Sequence, residues 1–112
     1  MSIPVDLADV PKTLEDFDRG YLLTTTDGRV KAVSVRAVPA DGALRVANPG
    51  RGSVANVGAN PTATLLFPPA ESGGLTLLVD GSAVAEGDDV VMTPSSAILH
   101  RSVGGAVGAV VP

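Results

Sequence analysis

The 112-residue sequence has no cysteine and no tryptophan. Without thiols there is no disulfide framework, no zinc–thiolate centre and no cysteine nucleophile. Aromatic residues make up 3% of the chain: Phe17, Tyr21 and Phe67. A core must therefore be built from Val, Leu and Ala. Basic residues are also few, eight against twelve acids, for a net charge of −4. They are scattered, whereas binding the phosphate backbone of nucleic acid needs clustered Lys and Arg, so a nucleic-acid partner is not expected. No apolar run approaches the ~18 residues of a membrane span, so no membrane partner is expected either. The first residues, MSIPVDLADVPK, lack a basic segment followed by an apolar one and do not read as a signal peptide. A cytoplasmic location is the simplest expectation.

What is present describes a folding chain: 45% hydrophobic and 18% charged, of a length for one domain. Residues 1–112 read as a single unit, with a core over about 10–101 and a tail beyond. Val10 to Phe17 reads as a short opening helix, with Pro11 in its first turn and Leu14 and Phe17 on one face. Tyr21 to Thr26 is rich in strand formers, and Asp27-Gly28 is a hairpin turn signal. Arg29 to Val38 is the expected second strand. Asp41-Gly42 turns the chain into a third, Ala43 to Ala47. After the turn-rich Asn48-Pro49-Gly50-Arg51-Gly52, Ser53 is placed to cap a helix over Val54 to Ala59, which Asn60-Pro61 ends. Thr62 to Phe67 is a fourth strand. Leu75 to Glu86 is a long fifth, in which Gly81 marks a bulge or bend. Val90 to Thr93 and Ala97 to Arg101 supply one or two more. This order predicts a mainly β fold, a six-stranded antiparallel barrel with two short helices. The tail, Val103 to Pro112, is uncharged and is either disordered or packed against a partner.

The segment Pro49 to Asn56 carries the most chemistry. Its glycines allow close backbone approach, its helix start offers free N–H groups, and Arg51 adds a fork suited to phosphate oxygens. It reads either as a phosphate cradle or as an ordinary capped helix after a loop. His100, the single histidine, lacks the partners of a metal site or a triad, so no metal is expected and a structural or dimer-facing place is expected for it. Asp88-Asp89 reads as a solvated turn. Glu15, Asp16 and Asp18 read as the wet face of the first helix. Arg19, Arg29 and Arg45 receive no role.

The run Asn48 to Pro68, with its helix ending in Asn-Pro and its apolar strand ending in Leu-Phe-Pro, resembles a segment of the pyridoxamine 5′-phosphate oxidase-like family. Lys31-Ala32-Val33-Ser34-Val35-Arg36 resembles that family's earlier flavin strand. Leu78 to Ala83 and His100-Arg101 are also similar to small members, so the likeness spans roughly residues 10–101. It implies a split β-barrel, a homodimer and an FMN site, hence a small flavin oxidoreductase exchanging electrons with a small-molecule donor or acceptor. The alternative is a barrel that binds deazaflavin F420 or heme, or a non-catalytic module for storage, sensing or dimeric interaction. By resemblance, Lys31 pairs with the FMN phosphate, and Ala32, Val33 and Ser34 run along the ring and ribityl chain. Arg36 lies near the ring or substrate, and Val46 and Ala47 offer backbone groups. Arg51, Gly52 and Ser53 complete the phosphate pocket, and Thr76 reaches the ring edge from a partner subunit or an adjacent strand. Three features depart from the family pattern. Gly52-Ser53 replaces an Arg-Lys pair. Lys31 and Arg36 are five apart, on opposite faces of a regular strand, and share a ligand only at a bulge or an edge. Glu86 runs through Gly87-Asp88-Asp89 into Val90 without the insert that serves the vitamin's phosphate, so vitamin B6 oxidation is not expected.

Overall fold

Two aspartate–glycine pairs set the first hairpins. Asp27 and Gly28 have φ of 50° and 74°, and Asp41 and Gly42 have φ of 51° and 81°. Consecutive positive φ angles match the twist of flanking strands, and these residue types adopt them at least cost. The structure, a computed structural model, describes residues 1–101. The expectation for the tail lies outside the described residues.

Strand β1 is Ser2–Pro4, and a turn of 3-10 helix at Leu7–Asp9 leads into helix α1, Val10–Leu14. Then come β2 (Gly20–Thr26), β3 (Arg29–Val35), β4 (Ala37–Ala40) and β5 (Ala43–Val46). Helix α2 (Arg51–Ala59) precedes β6 (Thr62–Phe67), β7 (Thr76–Glu86) and β8 (Asp89–His100). All pairings are antiparallel, in the order β3-β2-β6-β7-β8-β5-β4, with β1 on β8. The fold is the expected mainly β antiparallel type with two short helices, but with eight strands rather than six. One addition is β1, which lies against Ile98 to His100. The other arises because the expected strand Arg29 to Val38 breaks at Arg36. Its first part pairs with β2 and its second with β5, and no single straight ladder can serve both. β3 and β4 are therefore the two ends of the sheet, joined through one residue yet not paired, and the sheet is not closed. β8 is continuous. Pro94, which lacks the N–H a ladder needs, sits at a register shift opposite Gly81.

Inward residues alternate along each strand, as a one-sided sheet requires: Leu22, Leu65 and Phe67, Leu77 and Val79, Val90 and Met92, all fully buried. Val10 and Leu14 of α1 join the same core, and the Phe17 ring stands 6.2 Å from that of Phe67 at a tilt of 55°. Thr24 is a polar residue in this core. Its Oγ1 accepts a bond of 3.0 Å from Asn56 Nδ2, which fixes α2 against β2. At the other end of α2, Asn60 Nδ2 donates to Thr25 Oγ1 at 2.9 Å, and Asn60 Oδ1 accepts from the Thr62 N–H at 3.1 Å. Among the described residues no helix is long and apolar enough to cross a membrane.

The bend of the β7–β8 hairpin depends on a bare backbone at Gly81, where a Cβ would clash with the Thr93 carbonyl oxygen and stand 2.6 Å from Met92 Sδ. Gly81→Ala is expected to destabilise the chain by about 1–3 kcal/mol, the usual cost of overpacking. Urea denaturation checks this, and an unchanged midpoint would show that the bend absorbs a methyl group freely.

Candidate functional site

Helix α2 begins earlier than the sequence suggests. Gly50 is its N-cap, with φ 106°, and the first helical bond runs from the Val54 N–H to the Gly50 carbonyl at 3.1 Å. Ser53 is therefore inside the first turn and is not the cap. It points into the core, fully buried, and its Oγ has no hydrogen-bond partner among the described residues. The cap residue has no side chain to accept from the first N–H groups, which are the donors a helix leaves open.

Lys31 lies over this helix start. In the β2–β3 ladder it pairs with Thr24, the residue bonded to α2, so it shares the face on which the helix packs. A Cβ built on Gly52 would stand 2.9 Å from Lys31 Cε and 3.2 Å from its Nζ, so the lysine side chain lies directly on this bare stretch of helix backbone. Arg51 lines a cleft of about 230 Å³ on a neighbouring side of the same turn, with Asn48, Gly50, Val54 and Ala55, and with Asp88 among the lining residues. Two cations and a set of open N–H groups thus converge on one helix end, a donor set that fits a phosphate.

A larger cleft, about 420 Å³, opens where β3 hands over to β4. Ser34, Arg36 and Ala47 line it together, as do Arg19, Arg45 and Asn48, over an apolar floor of Val35, Val38 and Ala40. Arg19 Nε donates to Ser34 Oγ at 3.1 Å and its Nη2 to the Ser34 carbonyl at 3.2 Å. Arg36 Nη1 lies 2.9 Å from Asp18 Oδ1. Arg45 donates twice to Asp89 Oδ2, at 3.1 and 3.0 Å, and once to Glu86 Oε1 at 2.9 Å. The other oxygen of Asp89 accepts from the Asn48 N–H at 3.0 Å. Asn48 has φ 48°, and it is common to both clefts. Asp89 therefore ties the end of β5 and the loop before α2 to the β7–β8 turn. That bond from Asn48, then Arg45, holds the Asp89 carboxyl below its usual range, and the bonds to Glu86 and Asp89 hold Arg45 still more firmly protonated.

The remaining residues singled out in the sequence are more dispersed. Val33 is half-buried against the core, and Ala32 is exposed beside Leu23 on the outer face. Val46 is fully buried between Ala37 and Val90 and lines neither cleft. Thr76 opens β7 opposite His100, three strands along the sheet from β3. His100 Nδ1 is 3.1 Å from Ser2 Oγ. Lys31 lies within β3, whereas Arg36 follows its last residue, so regular alternation does not govern the pair, and β3 is a sheet end with a free edge. Sequence reasoning gave Arg19 and Arg45 no role and read Asp89 as a solvated turn. The charges were visible, but their convergence depends on pairings between distant strands.

No family model matches the chain. Two proteins named "Uncharacterized protein", from Mycobacterium bovis and Mycobacterium tuberculosis, are each 35% identical over 114 aligned positions, covering 87% of this chain and 80% of theirs. Among solved structures, the "Putative Pyridoxamine 5'-phosphate oxidase" from Listeria innocua superposes with a TM-score of 0.69 at 16% identity, over 86% of this chain and 98% of its own. The FAD binding protein from Mycobacterium smegmatis has a TM-score of 0.69 at 16% identity, over 88% and 98%. A structure named F420 Reductase has a TM-score of 0.63 at 17% identity, over 77% and 93%.

The Asp89 staple makes a prediction about acid. A carboxyl with a depressed folded pKa contributes stability in full above its unfolded value, 3.8 for this group, and loses it as pH falls through the lower folded value. Melting temperatures measured from pH 6 down to about pH 2.5 are expected to fall more steeply for the wild type than for Asp89→Asn, which starts lower. Parallel curves would show that Asp89 takes no part in acid lability.

Proposed function

From a chain that belongs to one family with the two mycobacterial proteins and has the pyridoxamine 5′-phosphate oxidase-like split-barrel fold, we propose an FMN-binding flavoprotein that works as a homodimer. The observation that carries this reading is the Lys31 ammonium lying over the bare Gly52 at a helix start that Arg51 also flanks. In this reading Lys31, Arg51 and the first-turn N–H groups hold the phosphate. Ser53, whose Oγ faces the core, joins through its first-turn N–H alone. Ala32, Val33 and Ser34 carry the ribityl chain and ring along the free edge of β3, with Arg36 and Ala47 on the substrate side. Val46 serves through its backbone alone.

Thr76 joins from a second copy of the chain, since it lies three strands from β3 in its own. An outward apolar row supports a dimer. Tyr21, Leu66, Leu78 and Ile98 are consecutive ladder partners across β2, β6, β7 and β8. Tyr21 is 43% exposed, and Leu66, Leu78 and Ile98 are half-buried. The bound flavin would supply hydride or electron transfer. The chain would supply the phosphate anchor, the ring's orientation and a cationic cleft beside it. Vitamin B6 is not the substrate in this reading, because Gly87 and Asp88 alone join β7 to β8 and bring no group to a second phosphate.

FMN is expected to bind the apoprotein at least tenfold more tightly than riboflavin. Lys31→Ala and Arg51→Ala are each expected to lower FMN affinity about 10- to 150-fold, the value of one charge-assisted bond, and to leave riboflavin affinity unchanged. Fluorescence titration reads both ligands. Equal affinity for FMN and riboflavin in the wild type would remove the phosphate cradle. Light scattering is expected to report a dimer at micromolar concentration, and a monomer would remove Thr76 from the site. The visible spectrum of the purified protein separates a flavin from deazaflavin F420, from heme and from a colourless module.

A further inference from the structure

We propose that the cleft of about 420 Å³ at the β3–β4 handover binds a small organic acid, a molecule with an apolar body and a carboxylate. Six arginines occur in the chain, and three of them, Arg19, Arg36 and Arg45, line this one cleft. No Asp or Glu lines it among the described residues, in a chain with twelve acids and a net charge of −4. The carboxylates that pair with Arg36 and Arg45 are not part of the lining. Asp18 offsets Arg36, and Glu86 and Asp89 offset Arg45, so Arg19 is the cation whose charge faces the cleft uncompensated among the described residues.

The three guanidinium groups are held before any ligand arrives, so less side-chain freedom is lost on binding. Arg19 is fixed by two bonds to Ser34, through Nε and Nη2, and its Nη1 remains open. It forms no ion pair among the described residues, so its charge is not compensated. Arg36 contacts Asp18 through Nη1 alone, leaving Nε and Nη2 for a second acceptor. Arg45 spends its donors on Asp89 and Glu86, which also offset its charge, so it shapes the cleft wall rather than binding the ligand. Val35, Val38 and Ala40 give the floor an apolar character, which calls for a ligand with an apolar body. The phosphate cradle is separate: Lys31, Arg51, Gly52 and Ser53 do not line this cleft, and only Asn48 is common to it and the cleft at Arg51.

The proposal deepens the flavin reading by naming a substrate class for it, but binding of the acid does not depend on a flavin. The test uses the flavin-free protein with two probes of one shape: 1-naphthoate and its neutral isostere 1-naphthalenemethanol, titrated by NMR or calorimetry. Naphthoate is expected to bind at least tenfold more tightly than the alcohol. Arg19→Gln, which can still donate to Ser34, is expected to lower naphthoate affinity about tenfold and leave the alcohol unchanged. Arg29→Gln, which removes the same charge from a residue lining neither cleft, is expected to have no such effect. In the wild type, added salt is expected to weaken the acid and not the alcohol, a readout that stands even if the Arg19 variant fails to fold. Equal affinity for the two probes, no binding of naphthoate at 10 mM, or an equal loss from Arg29→Gln would each overturn the proposal. A protein that binds naphthoate in this way but no flavin would sink the flavin reading and leave this one standing.

Discussion

A single residue, Arg36, joins the two ends of the sheet. β3 and β4 are consecutive in the chain, yet they are the first and last members of the strand order. A sheet whose ends are tied together cannot remain flat. It must curve, and its inner face becomes the only place for Leu22, Phe67, Leu77 and Met92 to avoid water. The same handover leaves the two end strands unpaired with each other. The larger cleft opens there, lined from one side by Ser34 and Val35 and from the other by Val38 and Ala40. Fold and cleft thus follow from one topological fact, and the free edge of β3 is a consequence of it.

Curvature of a long hairpin needs local relief, and the β7–β8 pair supplies it at Gly81, opposite Pro94. Beyond that point the hairpin runs on to Glu86 and Asp89. Its tip carries the two carboxylates that hold Arg45 and the Asn48 N–H. The bend therefore governs where the β5–α2 loop sits. That loop in turn sets the start of α2, whose packing on β2 is fixed by Asn56 and Thr24. These contacts are polar and directional, so they specify geometry more than they add stability. Exposed ion pairs of this kind contribute little on their own.

Two electrostatic features sit side by side within an acidic surface. At the start of α2 the donors are backbone N–H groups, one ammonium and one guanidinium. At the β3–β4 cleft they are the guanidinium groups of Arg19 and Arg36 over an apolar floor. The first suits a compact dianion and the second an acid with an apolar body. Their junction at Asn48 allows one bound molecule to be adjacent to another.

Much of the fold was legible in the residues. Asp27-Gly28 and Asp41-Gly42 announce hairpins because they accept positive φ, and Asn60-Pro61 ends α2 because the residue before proline avoids helical angles. The strand formers of Tyr21 to Thr26 and Thr62 to Phe67 announced two strands, and the structure has β2 and β6 there. The segment Pro49 to Asn56 was visible as a candidate anion site, although its helix starts at Arg51 rather than at Val54. Where a strand changes partner was not legible, since Arg36 lies within a run of uniform strand propensity and its break is imposed by two different neighbours. Ser53 has the chemistry of a cap, and only the packing of α2 turned it into the core. Asp89 and Asn48, 41 residues apart, meet because β5 and β8 are paired. Local backbone preference is written residue by residue and can be read from the chain. Contact between distant side chains depends on register and curvature, which exist only once the sheet has formed.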